Sequence, residues 1–349
     1  MGIASESLRD YDFSELQAAL DDIFAKSAPD FQDIVGEMMK GNIGESIKVV
    51  GSALWQCCVS ELTAGRRAML LILGLGIMAA VFYNISLAFQ SRQIADTGFF
   101  VTYLAFLSIT VLSFRECCQI AADVLGRLEL FMKVLIPAFF MAVAMSVGSA
   151  SATGFYKLML ILMGLADTFL LRLILPAIKL ATIVMLVNYM TKEEMLSRLS
   201  RLFKTLVSWS LKGILTIVLA VNTMQGLVLP SVDGMKLSVL QKTVSILPGI
   251  GNSAEAVAAL MAQSGQLIKN GIGMTALVFI SLIVAVPVVK LGILILMYQL
   301  TCAMLQPVSD KRMVEALAAV CDGCKNLLQL VATAGILYMM TIAVVCMVT

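Results

Sequence analysis

Histidine is absent from this chain. That one gap excludes imidazole general bases, His-based triads, histidine-ligated zinc and proximal-histidine haem. Charge is scarce too: Asp, Glu, Lys and Arg make up 14% of the 349 residues, and the net charge is +2. With no basic run and only 7% aromatic residues, nucleic acid is not an expected partner. No GxxxxGK[ST] string occurs, which excludes a P-loop, and Gly74-x-Gly76 lies inside an apolar run with no strand before it. The eight cysteines form no framework. Cys57-Cys58 and Cys117-Cys118 are adjacent pairs, Cys302 and Cys346 belong to apolar runs, and Cys321-x-x-Cys324 stands alone. They read as small apolar helix residues, not as metal or redox ligands. No catalytic residue, cofactor or metal is expected, and the chain is not expected to be an enzyme.

What the chain has in excess is apolar surface. Hydrophobic residues make up 60% of it, and the mean hydropathy is +0.93. Soluble domains run near half apolar and about a quarter charged. One core cannot absorb the surplus, because a core needs a polar surface around it. The remaining solvent is lipid, and a chain that buries its backbone in lipid does so as helices or as a closed barrel. Runs of helical period point to the first: an all-α, polytopic membrane protein.

Residues 1–66 form an amphipathic helical segment expected outside the bilayer, and 67–349 a multi-pass domain. No charged-then-apolar signal sequence opens the chain. In the first segment Leu16, Leu20, Ile23 and Phe24 share one helical face, as do Ile43, Ile47, Val50, Leu54 and Cys58. Beyond it lie apolar runs at 68–90, 98–114, 134–150, 156–189, 205–229, 272–305 and 326–349, separated by amphipathic or charged stretches. About 20 residues cross a bilayer, so 156–189 and 272–305 are each one kinked span or two short ones. The total is eight to ten membrane segments. The half-polar stretch 252–269 reads as re-entrant or pore-facing.

An internal repeat is legible at an offset of 111 residues, with halves of about 115–225 and 226–349. Pro137 pairs with Pro248, Pro176 with Pro287 and Lys179 with Lys290, and Leu175-Pro176-Ala177-Ile178-Lys179-Leu180 parallels Val286-Pro287-Val288-Val289-Lys290-Leu291. Residues 66–133 echo the order more weakly. Chance agreement among apolar strings is the competing reading, although proline and lysine are scarce inside spans. Duplication in one direction builds pathways at repeat interfaces. It would also place the Lys/Arg-bearing linkers 191–204 and 307–325 on one side, the cytoplasm, with residues 1–66 outside. Arg66-Arg67 argues the other way for the first span.

Lys179 and Lys290 each follow a proline by three residues inside an apolar tract. A lysine at a helix centre in lipid costs roughly 3 kcal/mol, and a proline kink frees carbonyls that an ammonium can satisfy. Asp167 and Glu255 are candidate counter-charges. The candidate polar and hinge residues are therefore Lys179, Lys290, Pro176, Pro287, Asp167 and Glu255, with Pro248, Gly249 and Gly251 in the loop before 252. Two readings stay open: a polar path at the repeat interface, or snorkelling from the end of a short span.

Taken together, these features resemble the stage III sporulation protein AE family. The resemblance rests on the acidic start, the Leu135-Ile136-Pro137 ending, the two Pro–Lys spans, Leu247-Pro248-Gly249-Ile250-Gly251 and Gln306-Pro307-Val308-Ser309-Asp310-Lys311-Arg312. It covers the chain from about residue 10 to its end. It implies a polytopic subunit in the mother-cell membrane around the forespore, within a secretion-like channel complex that sustains the engulfed forespore. Ring-forming and other membrane subunits and a cytoplasmic ATPase subunit are the implied partners, and self-association is compatible with that role. The family usually carries a leader, which the opening residues do not display.

Overall fold

The computed structural model describes residues 69–81, 92–147, 163–166, 168–190, 198–199, 201–203, 205–218 and 251–347, with isolated positions at 14, 17, 18, 35, 66, 157, 160, 161 and 220. Among the described residues there is no strand, and the architecture is all-α. Four long elements organise it: α1 (Arg92–Val147), α2 (Leu175–Met190), α3 (Gly251–Leu305) and α4 (Lys311–Met347). A π-helical turn, Leu170–Ile174, leads into α2.

Stretches that read as separate segments are continuous helices. The runs 98–114 and 134–150 and the amphipathic stretch between them share α1, which carries through Pro137 to Val147. The stretch 252–269 does not turn back on itself. It is the first third of α3, which passes through Pro287 without a break, so 272–305 is one helix. One missing N–H and one displaced carbonyl do not end a helix held by neighbours along its length. Among the described residues three helices are long and apolar enough to cross a membrane: Met163–Tyr189, Gln266–Leu305 and Lys311–Ala343. A count of eight to ten needs crossings in residues outside those described.

The turn from α3 to α4 follows from its own residues. Pro307 cannot continue α3, whose last turn closes with Ser309 N–H donating to the Leu305 carbonyl at 2.8 Å. Asp310 then caps α4. Its Oδ1 accepts the Arg312 backbone N–H at 2.8 Å and the Arg312 Nε at 3.2 Å. α3 and α4 thus form an antiparallel hairpin, and α4 packs on α1, α2 and α3 at once.

Close contacts fix the directions. Tyr103 near the start of α1 donates to the Tyr189 carbonyl at the end of α2, 3.2 Å away, and feels the charges of Arg312 and Asp310. Gly323 of α4 lies against Thr182 of α2 and Phe114 of α1. Gly273 of α3 meets Cys346 of α4 and Phe139 of α1. α1 and α4 therefore run one way, and α2 and α3 the other. Small residues let the backbones approach, the packing device of helices in lipid. Phe106, Phe131, Leu128, Phe279, Ile280, Leu327 and Leu330 fill the interior, and Val35 joins the same cluster. Buried hydroxyls are satisfied within their own helices: Thr110, Thr182, Thr275 and Thr301 each donate to the carbonyl four residues back.

Candidate functional site

The approach to α2 is the most irregular stretch of described helix. The ring of Pro176 has no N–H to offer and crowds the carbonyl of Arg172. The chain answers with a wider turn, in which the Leu175 N–H donates to the carbonyl of Leu170, five residues back. Pro176 faces outward, whereas Lys179, one turn on, is half-buried and turned toward α1, where its charge acts on the Cys118 thiol.

The Pro287–Lys290 pair differs in geometry. Pro287 and Lys290 are both half-buried, and they lie inside unbroken α-helix with no wide turn before them. Lys290 is engaged by a neighbour. Gly251 opens α3, and Glu255 follows within it. Asp167, Pro248 and Gly249 lie outside the described residues. The structure thus brings Lys179 to α1 and places Lys290 on α3.

Among the described residues the most deeply buried charge is one that sequence reasoning passed over. Lys269 is 0% exposed, and its Nζ donates to the Cys346 carbonyl at 3.1 Å. Cys346 lies in the last turn of α4, where carbonyls have no partner within the helix. Lys269 thus supplies a donor and a positive charge at the negative end of that helix. In the sequence it closes a half-polar stretch and so reads as a boundary. Only the continuity of α3 places it inside.

Cysteines of α1 and α4 lie near one another where these helices pack. Cys117, Cys118, Cys321 and Cys324 are buried and unpaired. Cys324 lies beside Cys117, and Tyr298 of α3 beside Ser113 and Cys117. Cys321 Sγ reaches the Ile295 carbonyl at 3.8 Å. Among the described residues no three Cys, Asp or Glu side chains converge into a metal-binding group.

The fold defines a class: an all-helical protein in which, among the described residues, three helices are able to span a membrane and Tyr103 and Lys269 tie helices together. Within that class the chain belongs to the stage III sporulation protein AE family, whose sequence profile matches residues 29–349. It is similar to the stage III sporulation protein AE of Bacillus subtilis (strain 168), at 22% identity over 325 residues, covering 90% of this chain and 82% of the relative. No solved structure matches it. The family is a sporulation family and is not a known enzyme family.

Proposed function

We propose that this protein is a channel or export-gate subunit of a sporulation complex linking mother cell and forespore, and that it has no enzymatic activity. It acts in the mother-cell membrane around the forespore, after engulfment. Its partners are ring-forming and other membrane subunits and a cytoplasmic ATPase subunit. The observation that carries this reading is the wide turn, Pro176 and Lys179 in sequence: a weak point in a spanning helix beside a half-buried ammonium. Such irregular turns cluster at functional sites, and ionisable groups in spans mark pathways more often than fillers. The shared direction of α2 and α3 suits a repeat running one way, with Pro176–Lys179 and Pro287–Lys290 in corresponding positions of a polytopic domain. Replacing Lys179 or Lys290 by leucine should block sporulation after engulfment while protein levels stay normal. Unaltered spore counts in both variants would rule out the polar path.

A non-conducting scaffold is the second reading, and a different observation favours it. The described interior is filled by packed hydrophobic side chains. A scaffold would tolerate both lysine substitutions and lose complex assembly when residues 1–66 or the charged linkers are altered.

A further inference from the structure

The described residues between 198 and 218 are helical, and one face of their first half borders an open groove of about 750 Å³. Its lining follows the helical stripe: Arg198, Arg201 and Leu202, then Thr205 and Leu206, then Trp209 and Ser210. Trp209 is 76% exposed and Leu202 57%. Among the described residues, neither the Arg198 nor the Arg201 guanidinium has a hydrogen-bond or ion-pair partner. The Thr205 hydroxyl is already spent on the Arg201 carbonyl, 3.0 Å away.

We propose that this groove is a binding site for one anionic phospholipid, with the phosphate held by Arg198 and Arg201 and an acyl chain along Leu202, Leu206 and Trp209. The charge pattern selects this ligand. Among the described lining residues both cations stand at one end and uncharged side chains follow, which matches an amphiphile with a single anionic head and an apolar tail. An acidic partner helix would call for cations at successive turns instead. Two unpaired guanidiniums form charge-assisted, bidentate bonds to phosphate oxygens, and the indole offers a broad apolar plate to the chain. Length agrees as well. At about 1.5 Å per residue the face from Arg198 to Ser210 extends about 18 Å, close to the roughly 15 Å of hydrocarbon in one leaflet.

The inference rests on the chain residing in a bilayer, not on what the complex conducts. Its test is therefore made on purified full-length protein, without reference to sporulation. Phosphatidylglycerol, phosphatidylcholine and inorganic phosphate are titrated against the protein in neutral detergent, with binding read by native mass spectrometry and by the unfolding temperature. Phosphatidylglycerol should bind about thirtyfold more tightly than phosphatidylcholine, close to a factor of five for each arginine. The Arg198→Gln/Arg201→Gln double variant should fold normally and bind the two lipids alike. Trp209→Ala should weaken both lipids and leave the preference between them intact. Equal affinities in the wild-type protein, or a double variant that still prefers the anionic lipid, would overturn the proposal. Inorganic phosphate that competes as well as the lipid would also overturn it, since the groove would then be an anion site without a tail.

Discussion

Lys269 is the residue at which charge, burial and helix chemistry oppose one another most directly. Its ammonium is removed from solvent entirely, yet it satisfies a terminal carbonyl of α4. A bond of this type inside a bundle contributes about 1 kcal/mol, and burying the ion costs a comparable amount or more. Lys269→Met keeps the stem and discards both terms, so the free energy of unfolding in mixed micelles should stay unchanged or rise, by up to about 4 kcal/mol. Lys269→Ala also empties the space of the stem and should cost about 2–4 kcal/mol. In both variants the end of α4 loses a tie, and Cys346 should label faster with a small maleimide. Equal damage from Met and Ala would mean that the charge, not the packing, carries the site. Sequence alone located Lys179 and Lys290, because each stands out against an apolar tract behind a proline. Lys269 sat beside Asn270 and Gly271 and looked like the edge of a loop.

At the scale of elements, packing is decided where backbones approach most closely. A Cβ at Gly323 would stand 2.5 Å from Thr182 Oγ1 and 2.8 Å from Phe114 Cε2, on two different helices. Gly126 of α1 has nothing within 4 Å of the same position. Alanine favours a helix over glycine by about 1 kcal/mol, and that gain should appear at Gly126→Ala. At Gly323→Ala the overlap costs about 1–3 kcal/mol, so the net effect should be destabilising. Thermal unfolding of the two variants checks the contrast, and a Gly323→Ala protein as stable as Gly126→Ala would mean that α1, α2 and α4 do not meet there. Gly323 lies within Cys321-x-x-Cys324, a string that reads in the sequence as small apolar helix residues. In the fold that string is where α4 touches two neighbours at once. The heptad-like recurrence of apolar residues predicted the helices, but it carries no information about which glycine faces a partner. It also placed boundaries at Pro137 and Lys269, because composition changes there while backbone hydrogen bonding does not.

At the scale of the whole molecule, length is the informative quantity. α1 has 56 residues and α3 has 55, so each extends about 80 Å at about 1.5 Å per residue. The hydrocarbon of a bilayer is only about 30 Å thick, so parts of both helices stand outside it. The turn at 306–310 is exposed at Gln306, Pro307 and Val308 and marks one such end. With the charged linkers on the cytoplasmic side, as proposed from their lysines and arginines, a Val308→Cys protein should gain a labelling site over wild type. A membrane-impermeant maleimide should reach it only after permeabilisation. Labelling in intact cells would reverse the orientation.

Composition by itself determined that the chain is helical and built for lipid, because this much apolar surface with so little charge has no stable arrangement in water. Missing histidine leaves no imidazole base or ligand, and no GxxxxGK[ST] loop is present. The Pro–Lys pairs were legible for the same reason: a rare residue in an apolar tract is visible without coordinates. Tertiary structure alone decided that α1 and α3 run unbroken, that α4 touches the other three helices, and that Lys269 is interior. Those outcomes depend on neighbours that bridge a proline, admit a glycine or accept a proton donor, and a neighbour distant in the chain leaves no mark on local sequence.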